Sequence, residues 1–138
     1  MATDISIRQS TSQINIKDQL QQPVLFTGST YNIHTDERTT WHTTLSFKPN
    51  TSSNIDYHRY TVNGYGISQW RTEQELRYMI IGNIDCKTGQ GKVSKIYINV
   101  DTLEQHSIIY NIQLYMLRNT LHINMYSDIS SGTLMKST

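Results

Sequence analysis

Two pairs of glycines have a spacing that resembles a phosphate-binding loop: Gly64 and Gly66 in "NGYGISQW", and Gly89 and Gly91 in "KTGQGKV". A dinucleotide fingerprint, G-x-G-x-x-G, needs a third glycine and a long helix whose N-terminus meets the phosphate. A glutamine stands at position 69, and neither pair is followed by a long helical pattern. We therefore expect all four glycines to shape the backbone and to bind no nucleotide.

The titratable side chains form no catalytic or metal-binding motif. No two of the five histidines are close enough in sequence for a local metal motif. His42 and His58 fall on neighbouring predicted strands and could face each other, although ordinary packing is the interpretation we favour. The single cysteine, Cys86, follows Asp85, whose negative charge would raise the pKa of the thiol and disfavour a nucleophilic role. The sequence thus predicts a non-enzymatic protein with no metal and no cofactor.

The aromatic residues are better candidates for binding. In a small barrel some of them must point inward, and Tyr and Trp combine an apolar ring with a polar tip. Such side chains often line ligand cavities, although ordinary core packing is the alternative. The predicted ligand-binding residues are Trp41, Tyr60, Trp70, Tyr78, Tyr97 and Tyr110.

The elements that would position these side chains are predicted to be strands of one all-β domain spanning residues 1–138. The chain has one Ala but seventeen Ile, seventeen Thr and nine Tyr, which favours strands over helices. Apolar residues alternate with period two from "DISIR" near the start to "TLHINMYS" near the end. This pattern predicts an antiparallel up-and-down meander of eight to ten strands that forms a barrel or clam. A two-sheet jelly-roll sandwich is the alternative.

Individual segments give more specific expectations. The run "TTWHTTLSF" places Trp41, Leu45 and Phe47 on one face of a strand, and we predict that this face is core. The Arg-Asn step at 118–119 is predicted to form a two-residue type I′ turn, because Asn tolerates the positive φ that such a turn requires. The Asn-Gly step at 63–64 predicts a second hairpin turn on the same grounds.

Charge and hydropathy limit the partners. The net charge is +1, so the chain lacks the excess of basic residues that is typical of proteins that bind nucleic acid or an anionic membrane. No secretory signal or run of 18 apolar residues is seen, and one cysteine excludes an internal disulfide. We therefore expect the cytoplasm or another reducing compartment, with a protein partner or an oligomer and no nucleic acid or membrane.

Between residues 41 and 134 the chain carries an ordered set of motif residues: Trp41, Leu45, Phe47, Gly64, Gly66, Ile80, Gly82, Gly91, Val93, Lys95, Tyr97, Ile108, Tyr110, Gly132 and Leu134. Their order resembles that of a small calycin-like β-barrel module, related to lipocalins and fatty-acid-binding proteins and found in largely uncharacterised eukaryotic proteins. The chain departs from that pattern after its G-x-G, where Ile67 and Ser68 replace an expected acidic residue. The resemblance implies a barrel whose interior is filled or holds a small apolar ligand, and it implies no enzymatic activity.

Three functions fit these observations. The first is a non-enzymatic binding module that takes a small hydrophobic ligand in the barrel or a protein partner on its rim. The second is a structural subunit of a large assembly, such as a capsid or multi-subunit complex, and the third is a carbohydrate-binding lectin. The barrel interior should discriminate between them. A cavity of about 300 Å³ or more favours a ligand, whereas a filled interior with an apolar outer patch favours assembly.

Overall fold

The computed structural model describes residues 16, 19–50, 59–70, 74–99 and 101–137. The strand-like runs predicted before residue 16, and His58, lie outside these residues. The described part contains eight β-strands. They are β1 (Val24–Asn32), β2 (Arg38–Pro49), β3 (Arg59–Trp70), β4 (Gln74–Asp85), β5 (Gln90–Ile98), β6 (Gln105–Leu117), β7 (Thr120–Tyr126) and β8 (Ser130–Lys136).

The strands form a closed barrel. Each strand pairs antiparallel with the next along the chain, and β8 pairs antiparallel with β1, from Phe26 opposite Lys136 to Asn32 opposite Ser130. The predicted all-β meander is therefore confirmed in its barrel form, and the jelly-roll alternative is wrong. Closure gives every strand a hydrogen-bonded neighbour on both sides, so none of the eight is an edge strand along its whole length.

Side chains alternate between the lumen and the outer face, as the pleat of a strand requires. On β2, Trp41, Leu45 and Phe47 are buried while His42 is exposed, which confirms the predicted core face. Ile16 and Leu20, which precede β1, join the same core. The alternation also means that a shift of one residue in register would turn every lumenal side chain outward.

The lumen has an apolar half and a polar half. The end that carries the β2–β3, β4–β5 and β6–β7 connections is called here the apolar end, because its buried side chains include Phe26, Phe47, Val62, Ile84 and Leu121. The opposite end is called the polar end. The buried polar and charged side chains of the described residues lie in the half nearer to it. They are Thr30, Thr43, Ser68, Lys95 and Ser130.

Three connections share one local sequence and one hydrogen-bond pattern. They are "NIHTDE" between β1 and β2, "DCKTGQ" between β4 and β5, and "NVDTLE" between β5 and β6. In each, the first side chain accepts hydrogen bonds from the amides two and three residues further on. The threonine hydroxyl accepts one from the amide two residues after it. The fifth residue has positive φ: Asp36 at 61°, Gly89 at 79° and Leu103 at 61°.

Leu103 is the unfavourable variant of this connection, because a leucine in the left-handed region costs roughly 1–2 kcal/mol. We expect Leu103→Gly to raise the free energy of unfolding by about 1 kcal/mol. Leu103→Ala should leave it nearly unchanged, since it keeps the backbone strain and removes a side chain that is largely exposed. Urea unfolding of the three proteins is the measurement. Equal stability of the Gly and Ala variants would contradict this account of the loop.

Two turn predictions had different outcomes. The 118–119 turn is confirmed, with φ of 51° and 65° and with Leu117 paired to Thr120. The predicted hairpin at Asn63–Gly64 is wrong, because both residues lie inside β3 and pair with β2 and β4. Their chemistry permits a turn, but the pairing of β3 with both neighbours continues through them and the chain stays extended.

The glycines of β3 give space to large neighbours in the lumen. A Cβ atom on Gly64 would lie 2.6 Å from a methyl carbon of Leu45, and one on Gly66 would lie 2.6 Å from the hydroxyl of Tyr78. Gly89 forms the β4–β5 turn, and Gly91 begins the pairing of β5 with β4, opposite Ile84. Each glycine therefore has a structural role of the kind predicted from the sequence.

Candidate functional site

Side chains pack the lumen of the described barrel, and the cavity among them is small. A cavity of about 10 Å³ lies among Trp41, Thr43, Ile80, Val93 and their apolar neighbours, which is room for about one water molecule. Sites for small organic ligands are typically about 300–1,000 Å³. In this conformation the cavity therefore does not accommodate such a ligand.

An aromatic cluster occupies the middle of the lumen. The ring of Trp41 makes edge-to-face contacts with Tyr78 and Tyr110, at centroid distances of 5.3 and 5.5 Å. Its indole N–H donates to Thr30 Oγ1 at 2.9 Å. These three predicted ligand residues are therefore brought together as packed core, and such ring pairs stabilise a core beyond their buried area.

The tyrosine hydroxyls in this cluster are also paired. Tyr78 shares a hydrogen bond with Thr43, and Ser130 Oγ donates to the Tyr110 hydroxyl at 3.3 Å. Burial raises the pKa of the Tyr78 hydroxyl, and burial likewise raises the pKa of Tyr110. Both hydroxyls are therefore neutral over the physiological pH range.

The other three predicted ligand residues are spread apart. Tyr60 lies on β3 towards the apolar end, where burial, and secondly Cys86, raises its pKa. Tyr97 is partly buried on β5 near the polar end and stacks on His106, with ring centroids 5.4 Å apart. Trp70 ends β3, and its side chain lies outside the described part. The five predicted ligand residues whose side chains are described thus form no single surface.

Lys95 is the lumenal residue with unusual chemistry, and sequence analysis placed it only within a resemblance. Its side chain is 4% exposed. The ammonium nitrogen lies 3.1 Å from Ser68 Oγ, 4.1 Å from the ring centroid of Trp41 and 4.7 Å from that of Tyr78. Burial lowers the pKa of this amine to about 8. The sequence does contain a signal for this position. Val93, Lys95 and Tyr97 are spaced two residues apart on β5, so their side chains point to the same, inward side.

The outer face of strands β3 to β6 carries a contiguous set of apolar side chains, which we call the outer patch. Tyr65 pairs with Met79, and Met79 pairs with Ile96. One step along the barrel, Ile81 and Ile109 both pair with Ser94. Tyr65, Met79, Ile81 and Ile109 are exposed by 67%, 63%, 49% and 61% respectively. Sequence analysis did not find this patch, since the same strands also carry apolar residues on their lumenal side.

Basic residues flank the outer patch at both ends along β4. Arg77 precedes Met79 by two residues on the same face, and Lys92 pairs with Asn83, which follows Ile81 by two. The outward positions of β2 are polar by contrast, with His42, Thr44 and Ser46 between the core residues. The outer patch is thus an apolar region with polar and basic surroundings.

Across the described ranges, no three His, Cys, Asp or Glu side chains come together as ligands for a metal ion. Within those ranges no helix has the length and apolarity to cross a bilayer.

Comparison with known proteins gives no relative. The chain matches no protein-family model, no curated protein and no solved structure. The calycin-like resemblance therefore stays a prediction, and functional inference depends on the lumen and the outer patch.

Proposed function

We propose that this chain is a non-enzymatic protein-interaction module that binds another protein through the outer patch on strands β3 to β6. The observation that carries the proposal is a contiguous group of large apolar side chains on the outside of a barrel whose lumen is already filled. Contiguous apolar surface of more than a few hundred Å² is uncommon on monomeric proteins and marks interaction sites. Exposed Tyr and Met are also enriched in protein interfaces.

The flanking charges favour a different protein over a second copy as the partner. In a symmetric dimer both subunits present the same surface. A two-fold axis that crosses β4 at right angles would therefore bring Arg77 of one copy towards Lys92 of the other. An axis parallel to β4 would bring the two Arg77 side chains together, and both like-charge contacts are unfavourable. A partner surface with an apolar centre and carboxylates at its rim would complement both the apolar side chains of the outer patch and the basic residues beside it. A structural subunit of a larger assembly would use the same surface, so that hypothesis is a special case of this one.

A small hydrophobic ligand in the barrel has less support, because the cavity of about 10 Å³ is far smaller than such ligands require. A lectin would need an exposed aromatic ring to stack on a sugar, and the side chain of the candidate in the sequence, Trp70, lies outside the described part. The outer patch supports neither of these functions.

Two matched methionine variants test the proposal. Met79 lies in the outer patch, whereas Met135 lies on the outer face of β8, pairs with Thr27 and His122, and is 47% exposed. We expect Met79→Asp to weaken partner binding at least tenfold, because it places a charge at the centre of an apolar contact. Met135→Asp should change binding less than twofold. Affinity capture with the wild-type protein supplies the partner, and titration of purified components gives the three dissociation constants.

The controls separate loss of binding from loss of folding. Both variants should keep the unfolding midpoint of the wild type to within a few degrees, since both side chains are exposed. Equal binding by the two variants would overturn the proposal. So would a partner that proves to be a second copy, seen as a concentration-dependent dimer in sedimentation that Met79→Asp dissolves.

A further inference from the structure

Lys95 is the one buried charged side chain among the described residues. Burying a charge is costly unless an opposite charge or several hydrogen bonds compensate. Over the described ranges its ammonium group meets a single hydrogen-bond acceptor, Ser68 Oγ, and the faces of two aromatic rings. Simple packing at this position would be served better by an apolar residue, so the amine itself needs an explanation.

The neighbouring hydroxyls are engaged elsewhere. Thr43 is bonded to Tyr78, Tyr110 is bonded to Ser130, and Thr30 accepts from the Trp41 indole. Ser68 is therefore the hydroxyl that is free to serve Lys95. Towards the polar end, the next inward residue of β5 is Tyr97, which is only partly buried and stacks on its β6 partner, His106. A small molecule approaching from that end would meet these two side chains before the amine.

We propose that Lys95 is a carbonyl-reactive amine, and that a small aldehyde entering from the polar end condenses with it to form an imine. In this step the nitrogen lone pair attacks the carbonyl carbon and gives a carbinolamine. The Ser68 hydroxyl, 3.1 Å from the nitrogen, is placed to pass the proton that leaves nitrogen to the carbinolamine oxygen. Loss of that oxygen as water then gives the imine. No oxidant or reductant is needed, and the inference does not depend on the proposed function.

The surroundings favour the reactive form of the amine. Desolvation lowers the pKa of Lys95 to about 8, and desolvated lysines of this kind serve as nucleophiles towards carbonyl groups. At pH 7.4 roughly a fifth of such a group is neutral, whereas about one in a thousand of the lysines with an ordinary pKa near 10.4 is neutral. The neutral, reactive fraction of Lys95 is thus more than a hundredfold larger than that of an ordinary lysine. This difference compensates for the lower accessibility of a buried side chain.

Competitive labelling within one molecule is the test. The wild-type protein is treated with substoichiometric acetaldehyde at pH 7.4, with cyanoborohydride to reduce the imine, and the alkylated lysines are located by peptide mass mapping. We expect Lys95 to be alkylated at least tenfold faster than the exposed Lys48 and Lys92. The rate at Lys95 should rise with pH and level off near pH 8 to 9, while the rates at the exposed lysines continue to rise.

Two controls complete the design. In concentrated guanidinium chloride at the same pH the preference for Lys95 should disappear, because every lysine then has an ordinary pKa. A Lys95→Arg variant should lose the preferred product and label only at its other lysines. The inference would be overturned if Lys48 and Lys92 of the native protein were alkylated before Lys95. It would also be overturned if the preference for Lys95 persisted after unfolding.

Discussion

Replacing Trp41 with alanine should lower the free energy of unfolding by about 3–5 kcal/mol, the range for truncating a large buried aromatic side chain. The indole is 1% exposed and contacts Tyr78 and Tyr110 edge-on. Its removal would also leave the Thr30 hydroxyl without its donor and take one ring from beside Lys95. Urea unfolding followed by circular dichroism gives the change.

The neighbouring residue supplies the control. His42 follows Trp41 on β2 but is exposed on the outer face, so His42→Ala should change stability by less than about 0.5 kcal/mol. Similar losses for the two variants, or a loss below about 1 kcal/mol for Trp41→Ala, would mean that β2 does not present this face to the lumen.

Replacing Lys95 with methionine should stabilise the protein, in contrast to Trp41→Ala. We expect the free energy of unfolding at pH 7 to rise by up to about 3 kcal/mol. The folded state lowers the pKa of this amine from 10.5 to about 8, and each unit corresponds to about 1.4 kcal/mol at 25 °C. Methionine has a similar length and carries no charge, so it fills the same space without the cost of desolvating an ammonium group.

The pH dependence follows from the same shift. Below pH 8 the folded state bears the full cost of a buried charge, and the cost falls as the pH rises from about 8 to 10.5, where only the unfolded state still binds the proton. The wild-type protein should therefore gain stability between pH 7.5 and 9.5, and Lys95→Met should not. Above pH 10 both proteins should lose stability, because burial keeps the raised-pKa hydroxyls of Tyr78 and Tyr110 protonated while unfolded tyrosines ionise.

Urea unfolding at several pH values between 7 and 9.5 makes this comparison. Lys92→Met, on the outward side of the same strand, should follow the wild-type curve. A Lys95→Met protein that is less stable than the wild type at pH 7, or that keeps the wild-type pH slope, would contradict the account of the lumen.

The barrel was predictable because apolar residues recur at every second position along most of its strands. Trp41, Leu45 and Phe47 alternate with polar residues, and this alternation suffices to orient β2. The hairpin at Asn63–Gly64 was predicted wrongly because a turn and an extended strand both suit Asn-Gly. Long-range pairing with β2 and β4 decided between them, and local sequence does not contain that information.

The candidate sites were harder to predict. In "YMII" both faces of β4 are apolar, so the pattern does not reveal that Met79 and Ile81 are outside while Tyr78 and Ile80 are inside. The outer patch exists only once four strands are in register. Lys95 could have been placed in the lumen because it lies two residues from both Val93 and Tyr97 and so shares their side of β5. Its contacts with Ser68 and Trp41 join three different strands, and the local sequence does not predict them.

Neighbouring isoleucines make the central claim directly measurable, because Ile80 faces the lumen while Ile81 faces outward, as Ile109 does. A methyl NMR titration of the isoleucine-labelled protein with its purified partner compares the two faces of the same strands. Binding through the outer patch predicts shifts or broadening at Ile81 and Ile109 with little change at Ile80 and Ile112. Perturbation confined to the lumenal methyls, with Ile81 and Ile109 unchanged, would contradict the account.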